Sequence, residues 1–144
     1  MATDFVGVKD LQDLKIINPI VAIVGETATG KSALALWLAS QFNGEIINAD
    51  SRQVYRRMDI GTAKPTLAEQ SSIRHHLLNI LDPDEEFSLA QFLEKAQGAI
   101  DEIVSNNKLP IIVGGTGQYL WGLLEGWLPP KVPPDLKLRR SLEN

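Results

Sequence analysis

Residues 20–32 read IVAIVGETATGKS, a short apolar run followed by a loop that two glycines bracket. The run Ile20–Val24 is continuous and β-branched, which predicts a strand covered on both faces. The loop Gly25–Ser32 satisfies the pattern G-x-x-x-x-G-K-[ST]. In this pattern, inward-pointing N–H groups and the positive end of the following helix bind phosphates. The stretch therefore predicts a strand, a phosphate-binding loop and a helix, in that order.

Two side chains of this loop have predicted roles of their own. Lys31 supplies a positive charge to the terminal phosphates, and the hydroxyl of Ser32 is the predicted ligand for Mg²⁺. The predicted diphosphate- or nucleotide-binding residues are Gly25, Glu26, Thr27, Ala28, Thr29, Gly30, Lys31 and Ser32.

The rest of the chain alternates between strand and helix patterns. Apolar spacing predicts a helix over residues 31–42, and Ser88 with Gln91 forms a capping box that begins another. Further strands are predicted at residues 45–48, 76–81 and 110–113. This order predicts an α/β fold, with a P-loop NTPase-like parallel sheet flanked by helices.

Composition divides the chain into three predicted parts. Residues 1–18 are an N-terminal extension, and residues 19–128 are the P-loop α/β core. Residues 129–144 form a proline-rich linker and the start of a helical region. Because this last helical pattern begins and then stops, we expect the chain to be truncated.

The composition also excludes several classes of function. None of the 144 residues is cysteine, which rules out disulfides, thiolate catalysis and zinc–thiolate sites. The net charge of -4 disfavours a large non-specific surface for nucleic acid. The apolar runs are too short to span a membrane. We therefore expect a cytoplasmic protein without a membrane partner, acting as a monomer.

One acidic residue has a position that points to chemistry. In P-loop ATPases an apolar strand ends in a carboxylate that binds magnesium, but residues 110–113 are followed by Gly-Gly-Thr. Asp50 instead lies at a strand end, where an open α/β sheet binds its ligands. We predict that Asp50 accepts a proton from an acceptor nucleophile. A small-molecule kinase and a transferase with a diphosphate leaving group both fit this layout.

Four longer sequence motifs resemble those of one family, the tRNA dimethylallyltransferases, also called tRNA isopentenyltransferases. The motifs are DSRQVY at residues 50–55, MDIGTAKP at 58–65, HHLLNILDP at 75–83 and IIVGGTGQY at 111–119. Their order and spacing match the family from about Pro19 to Leu142. Several independent motifs in the same order identify a family far more specifically than a P-loop alone.

The resemblance implies a reaction and a set of site residues. Because family chains are about twice this length, it also implies an incomplete fold with its C-terminal half absent. Family members use Mg²⁺ to transfer a dimethylallyl group from dimethylallyl diphosphate to N6 of the adenine on the 3′ side of the anticodon in tRNA. The implied partners are dimethylallyl diphosphate and the anticodon stem-loop. The implied catalytic residues are Asp50 as general base, Lys31 and Thr116. The implied tRNA-binding residues are Asp50, Ser51, Arg52, Gln53 and Thr116.

Three alternatives remain beside this interpretation. The related adenylate dimethylallyltransferases prenylate free AMP, ADP or ATP to make cytokinins. A P-loop kinase would use Asp50 to activate the hydroxyl of a small acceptor. An inactive, truncated binding module would use the loop without catalysis.

Two further features receive simpler interpretations. Adjacent residues of a strand point to opposite faces, so His75 and His76 do not form a metal pair, and we expect one to pack and one to be solvated. Thr62 and Lys64 resemble family positions near the site.

Overall fold

The computed structural model contains one sheet of four parallel strands. In chain order the strands are β1 (Val21–Val24), β2 (Gly44–Asn48), β3 (His75–His76) and β4 (Leu109–Gly114). The helices are α1 (Lys31–Gln41), α2 (Leu67–Ser72), α3 (Leu89–Ser105), α4 (Gly117–Leu124) and α5 (Leu136–Leu142). Across the sheet the strands follow the order β1-β4-β2-β3.

The structure describes residues 19–26, 28–130 and 135–142. The predicted N-terminal extension, Thr27 of the phosphate loop and residues 131–134 of the predicted linker lie outside the described residues. Among the helices that are described, none combines the length and the apolar character needed to cross a membrane.

The two central strands separate two apolar layers. Ile46 of β2 lies opposite Ile111 of β4, and Ile47 lies opposite Ile112. Because side chains alternate along a strand, Ile46 and Ile111 pack with α1, whereas Ile47 and Ile112 pack with α3 and α4. Burial on both faces explains why β4 reads as a continuous apolar run. The predicted parallel sheet flanked by helices is confirmed.

β1 forms one edge of the sheet. Its register with β4 runs from Val21 opposite Ile111 to Val24 opposite Gly114, and no other described strand pairs with it. The side chain of Val24 is 56% exposed. The expectation of a strand covered on both faces is therefore wrong for β1: Val21 and Ile23 pack on the side of α1, whereas Ala22 and Val24 on the opposite face are exposed.

The predicted capping box is present at the start of α3, and a second capping box is present at the start of α2. The N–H of Gln91 donates to Ser88 Oγ at 3.2 Å, and the N–H of Ser88 donates to Gln91 Oε1 at 2.8 Å, as the capping box predicts. Thr66 and Glu69 form the same reciprocal pair at the start of α2, which the sequence analysis missed. α2 has 6 residues and no buried side chain, so the apolar spacing that identifies longer helices is absent.

The third strand is shorter than predicted. β3 contains only His75 and His76, whereas residues 76–81 were expected to form the strand. Leu77 and Asn79 have positive φ values of 58° and 54°. Extended backbone requires negative φ, so the chain turns away from the sheet directly after His76.

A buried ionic cluster joins three segments of the sheet. Glu45 of β2 is 4% exposed, and its Oε2 lies 2.6 Å from His76 Nε2. The Nζ of Lys108 lies 2.7 Å from Glu45 Oε1. Burial by itself would raise the pKa of Glu45, but the hydrogen bonds and charges of Lys108 and His76 hold it below its ordinary value of 4.5. His76 therefore packs, as expected of one member of the pair.

Replacing Glu45 by Gln is expected to lower the free energy of unfolding at pH 7 by about 2 kcal/mol. Breaking fully buried pairs costs about 3–5 kcal/mol, and Lys108 is 36% exposed here, which weakens its share. Because the folded pKa of Glu45 is depressed, its contribution is present above the unfolded pKa and disappears as the pH falls through the folded pKa.

Urea denaturation of the wild-type protein and the Glu45→Gln variant at pH 7 and at about pH 3 tests this. The stability difference should shrink at the lower pH. A difference that is the same at both pH values would show that the carboxylate charge does not stabilise the fold.

Candidate functional site

A cleft of about 530 Å³ opens at the C-terminal ends of the strands, on the side of the sheet that α1 covers. Its wall is formed by the phosphate loop with the start of α1, the turn after β2, the loop at residues 61–65 and the end of β4. Ligands of open α/β sheets bind at this edge. The topology therefore brings together segments that are distant in sequence.

The phosphate loop has the backbone shape that its sequence predicts. Gly30 caps α1 with a φ of 85°, and Ala28 has a φ of 65°, so the chain wraps in left-handed steps before the helix. Thr29 Oγ1 donates to the carbonyl of Glu26 at 2.8 Å, and Lys31 Nζ donates to the same carbonyl. The first N–H groups of α1 have no partner within the helix, which leaves donors at this end of the cleft.

Only part of the predicted phosphate-binding set lines the cleft. Its wall includes Ala28, Gly30, Lys31 and Ser32, whereas Gly25, Glu26 and Thr29 are not part of it. Thr27 lies outside the described residues.

Asp50 follows β2 and faces the same cleft. Its Oδ1 accepts the N–H groups of Arg52 at 2.8 Å and Gln53 at 3.4 Å. Among the described residues no hydrogen bond involves Oδ2. Asn48, which is buried, pairs with the backbone of Asp50 and also donates to the carbonyl of Leu77 at 3.0 Å. Asp50 thus stabilises the turn with one oxygen and keeps the other available to a ligand.

The end of β4 lies directly against the end of β2. A Cβ atom added at Gly114 would lie 2.2 Å from the carbonyl oxygen of Ala49. Thr116, two residues further on, accepts the N–H of Ser51 through its Oγ1 at 3.0 Å. The Gly-Gly-Thr segment therefore fixes the turn that carries Asp50, and Thr116 itself lines the cleft.

Lys64 and Gln53 brace the loop that forms the opposite wall. Lys64 is 3% exposed, and its Nζ donates to the carbonyl of Tyr55, to Asp59 Oδ1 and to Asn79 Oδ1 at 2.7–2.8 Å. Gln53 Nε2 donates to the carbonyl of Thr62 at 2.8 Å and to that of Ala63 at 3.2 Å. These donors are engaged, so both side chains hold the loop in place, and the Oε1 of Gln53 remains as an acceptor.

The sequence analysis missed the inner floor of the cleft, which Leu36, Ile46, Glu69 and His75 help to form. Burial lowers the pKa of His75, with smaller opposing contributions from the Ile73 carbonyl and Glu69. His75 is half-buried in the cleft, so the expectation that the second histidine is solvated is wrong. The alternation of side chains along β3 could have predicted this position, because it directs one of the two histidines towards the face that α1 covers.

The oxygen donors in the cleft are compatible with Mg²⁺. The hydroxyl of Ser32, the predicted ligand, lines the cleft. Mg²⁺ in proteins is commonly held by one or two such oxygens together with substrate phosphates. Among the described residues no cluster of three or more His, Cys, Asp or Glu could hold a metal ion alone.

Known proteins match the chain over most of its length. The IPP transferase family model matches residues 53–144, and the isopentenyl transferase model matches residues 18–85. The tRNA dimethylallyltransferase of Roseiflexus sp. (strain RS-1) is 58% identical over 125 residues, which is 87% of this chain and 41% of that relative. The tRNA dimethylallyltransferase of Chloroflexus aggregans (strain MD-66 / DSM 9485) is 54% identical over 127 residues, covering 88% of this chain and 43% of that relative.

Solved structures agree with these matches. The full-length tRNA isopentenylpyrophosphate transferase of Bacillus halodurans superposes with a TM-score of 0.76 at 45% identity, over 88% of this chain and 42% of that one. A eukaryotic dimethylallyltransferase acting on tRNA has a TM-score of 0.75 at 39% identity, over 87% of this chain and 32% of that one. The chain thus spans less than half the length of the relatives it matches.

Proposed function

The chain belongs to the IPP transferase family, and from that premise we propose that it supplies the diphosphate site and the general base of a tRNA dimethylallyltransferase. The reaction transfers a dimethylallyl group from dimethylallyl diphosphate to N6 of the adenine on the 3′ side of the anticodon. The observation that carries this proposal is one cleft in which a phosphate loop faces Asp50, a carboxylate with a free oxygen.

The phosphate loop suits a leaving group. When the C1–O bond of an allylic diphosphate breaks, negative charge develops on the diphosphate as the allylic carbon becomes cationic. Lys31 and the N–H groups at the start of α1 are preorganised to stabilise that charge. Mg²⁺, when bound through Ser32 and the diphosphate, supplies further positive charge.

Asp50 suits the acceptor side of the same reaction. The exocyclic amine of adenine is a weak nucleophile, so a base must remove its proton as the new C–N bond forms. Asp50 receives this proton on its free oxygen, and diphosphate departs with the electron pair of the broken C–O bond. Ser51, Arg52, Gln53 and Thr116 surround Asp50 and are proposed to contact the RNA around the adenine.

A transfer assay with labelled dimethylallyl diphosphate and Mg²⁺ tests the proposal. The acceptors are an anticodon stem-loop RNA or free AMP, and the Roseiflexus relative is the positive control. Label on N6 of the RNA adenine is the expected result. Label on AMP alone would instead indicate an adenylate dimethylallyltransferase. In a parallel reaction that also contains ATP, ATP consumption with neither acceptor labelled would indicate a kinase. Binding of the diphosphate without transfer would assign catalysis to the longer protein.

A further inference from the structure

Ile60 is an apolar side chain presented almost entirely to solvent. It is 98% exposed, the highest value among the large hydrophobic residues that the structure describes. It lies between Asp59 and Gly61 in the loop at residues 58–64, which we call the braced loop. Single exposed apolar residues are common on protein surfaces, so the surroundings of Ile60 decide whether this one has a function.

The braced loop holds Ile60 in a defined position. Thr62 Oγ1 donates to the carbonyl of Met58 at 2.6 Å and closes the loop across Ile60. Lys64 is buried and donates to Asp59 as well as to two groups outside the loop. A satisfied polar network therefore holds the backbone of the loop on both sides of Ile60.

Ile60 directly precedes a segment that lines the cleft. Gly61, Thr62 and Ala63, the three residues after Ile60, all line the cleft. Gln53 joins the carbonyl of Thr62 to the turn of Asp50, because its N–H donates to Asp50 Oδ1. Consecutive Cα atoms lie about 3.8 Å apart, so Ile60, which directly precedes Gly61, lies at the rim of the cleft.

The charges around Ile60 favour a polyanionic partner. Arg57 is exposed on the same segment, and Arg52 lines the cleft. The negative charge of Asp59 next to Ile60 is paired with Lys64 at 2.8 Å. Exposed arginines beside an apolar tip suit an RNA loop, in which phosphates alternate with stacked bases.

We propose that Ile60 is an apolar wedge that enters the RNA stack in the place of the extruded adenine. This inference rests on the proposed function, because it assumes an adenine acceptor within RNA. An adenine in a stacked loop cannot reach a carboxylate inside a cleft unless it leaves its neighbours. An apolar side chain that covers the exposed face of the adjacent base offsets the cost of unstacking.

Fluorescence of 2-aminopurine tests the wedge. The probe is an anticodon stem-loop RNA that carries 2-aminopurine in place of the acceptor adenine and a dye at its 5′ end. Dye anisotropy reports binding, and the 2-aminopurine signal at saturating protein reports unstacking. The wild-type chain should bind and raise the signal. Ile60→Ala should still bind but lose the rise, and Ile60→Met should restore it.

Two matched variants separate the wedge from general effects. Leu67→Ala removes another exposed aliphatic side chain from the neighbouring helix α2 and should change neither signal. Arg57→Gln should weaken binding and reduce the salt-dependence slope by about one, with the 2-aminopurine rise at saturation unchanged. Circular dichroism spectra of all variants should superpose, since none removes a buried side chain.

The wedge is overturned if Ile60→Ala gives the full 2-aminopurine rise at saturation, or if the wild-type chain fails to bind this RNA or to unstack it. The transfer assay judges the proposed function separately. RNA transfer that is equal in wild type and Ile60→Ala would reject the wedge and retain the function. Label on AMP alone would reject the function itself.

Discussion

Replacing Asp50 by Asn is expected to lower dimethylallyl transfer by about 100- to 10,000-fold, the usual range for loss of a general base. Asn retains the acceptor oxygen that receives the N–H groups of Arg52 and Gln53, so the turn after β2 should persist. It lacks a basic oxygen for the proton of the adenine amine. The proposed diphosphate contacts lie on the phosphate loop, so the variant should leave them unchanged.

Single-turnover transfer and equilibrium binding of dimethylallyl diphosphate distinguish these effects. Transfer should collapse while the dissociation constant of the diphosphate stays the same. Asp84→Asn is the matched control, since Asp84 is an exposed acid of the turn before α3 and outside the cleft. Near-normal transfer by Asp50→Asn would mean that another group, or the substrate itself, removes the proton.

Replacing Gly114 by Ala is expected to destabilise the fold by about 3 kcal/mol, at the upper end of overpacking costs. The added Cβ would lie 2.2 Å from the carbonyl oxygen and 2.4 Å from the carbonyl carbon of Ala49. These are backbone atoms, so the ends of β2 and β4 must move apart. That movement would also break the contact between Thr116 and Ser51 that positions Asp50, and transfer should fall with stability.

Gly98→Ala in the middle of α3 is the control, because a Cβ at that position meets nothing within 4 Å. Alanine is a better helix former than glycine, so this variant should gain about 0.5–1 kcal/mol. Urea denaturation measures both changes. If Gly114→Ala were as stable as the wild type, the close approach of the two strand ends would not constrain the site.

Features encoded by local sequence were predictable. The phosphate loop follows from a single pattern, and the capping box of Ser88 with Gln91 identified the start of α3. Asp50 was identified because the carboxyl ends of parallel strands meet at one edge of a sheet. The three-residue spacing from Thr66 to Glu69 carried the same capping signal for α2, and only the lack of an apolar face concealed it.

Features that depend on tertiary contacts were not predictable. The three acceptors of Lys64 come from Tyr55, Asp59 and Asn79, and only the fold brings them together. The inner floor of the cleft likewise requires β3 to pair with β2, which places His75 opposite Ile46. These residues are distant in sequence, and nothing in the local sequence pattern indicates that they lie close together in the fold.

The uncovered side of β1 makes protein concentration a variable in any experiment on this chain. Among the described strands β1 pairs with β4 alone, and a strand edge without a partner presents N–H and C=O groups that can template pairing with another molecule. The exposed Val24 adds an apolar contact at the same edge. Kinetic and binding constants for this chain should therefore be measured over a dilution series, so that the behaviour of single molecules is separated from that of associated ones.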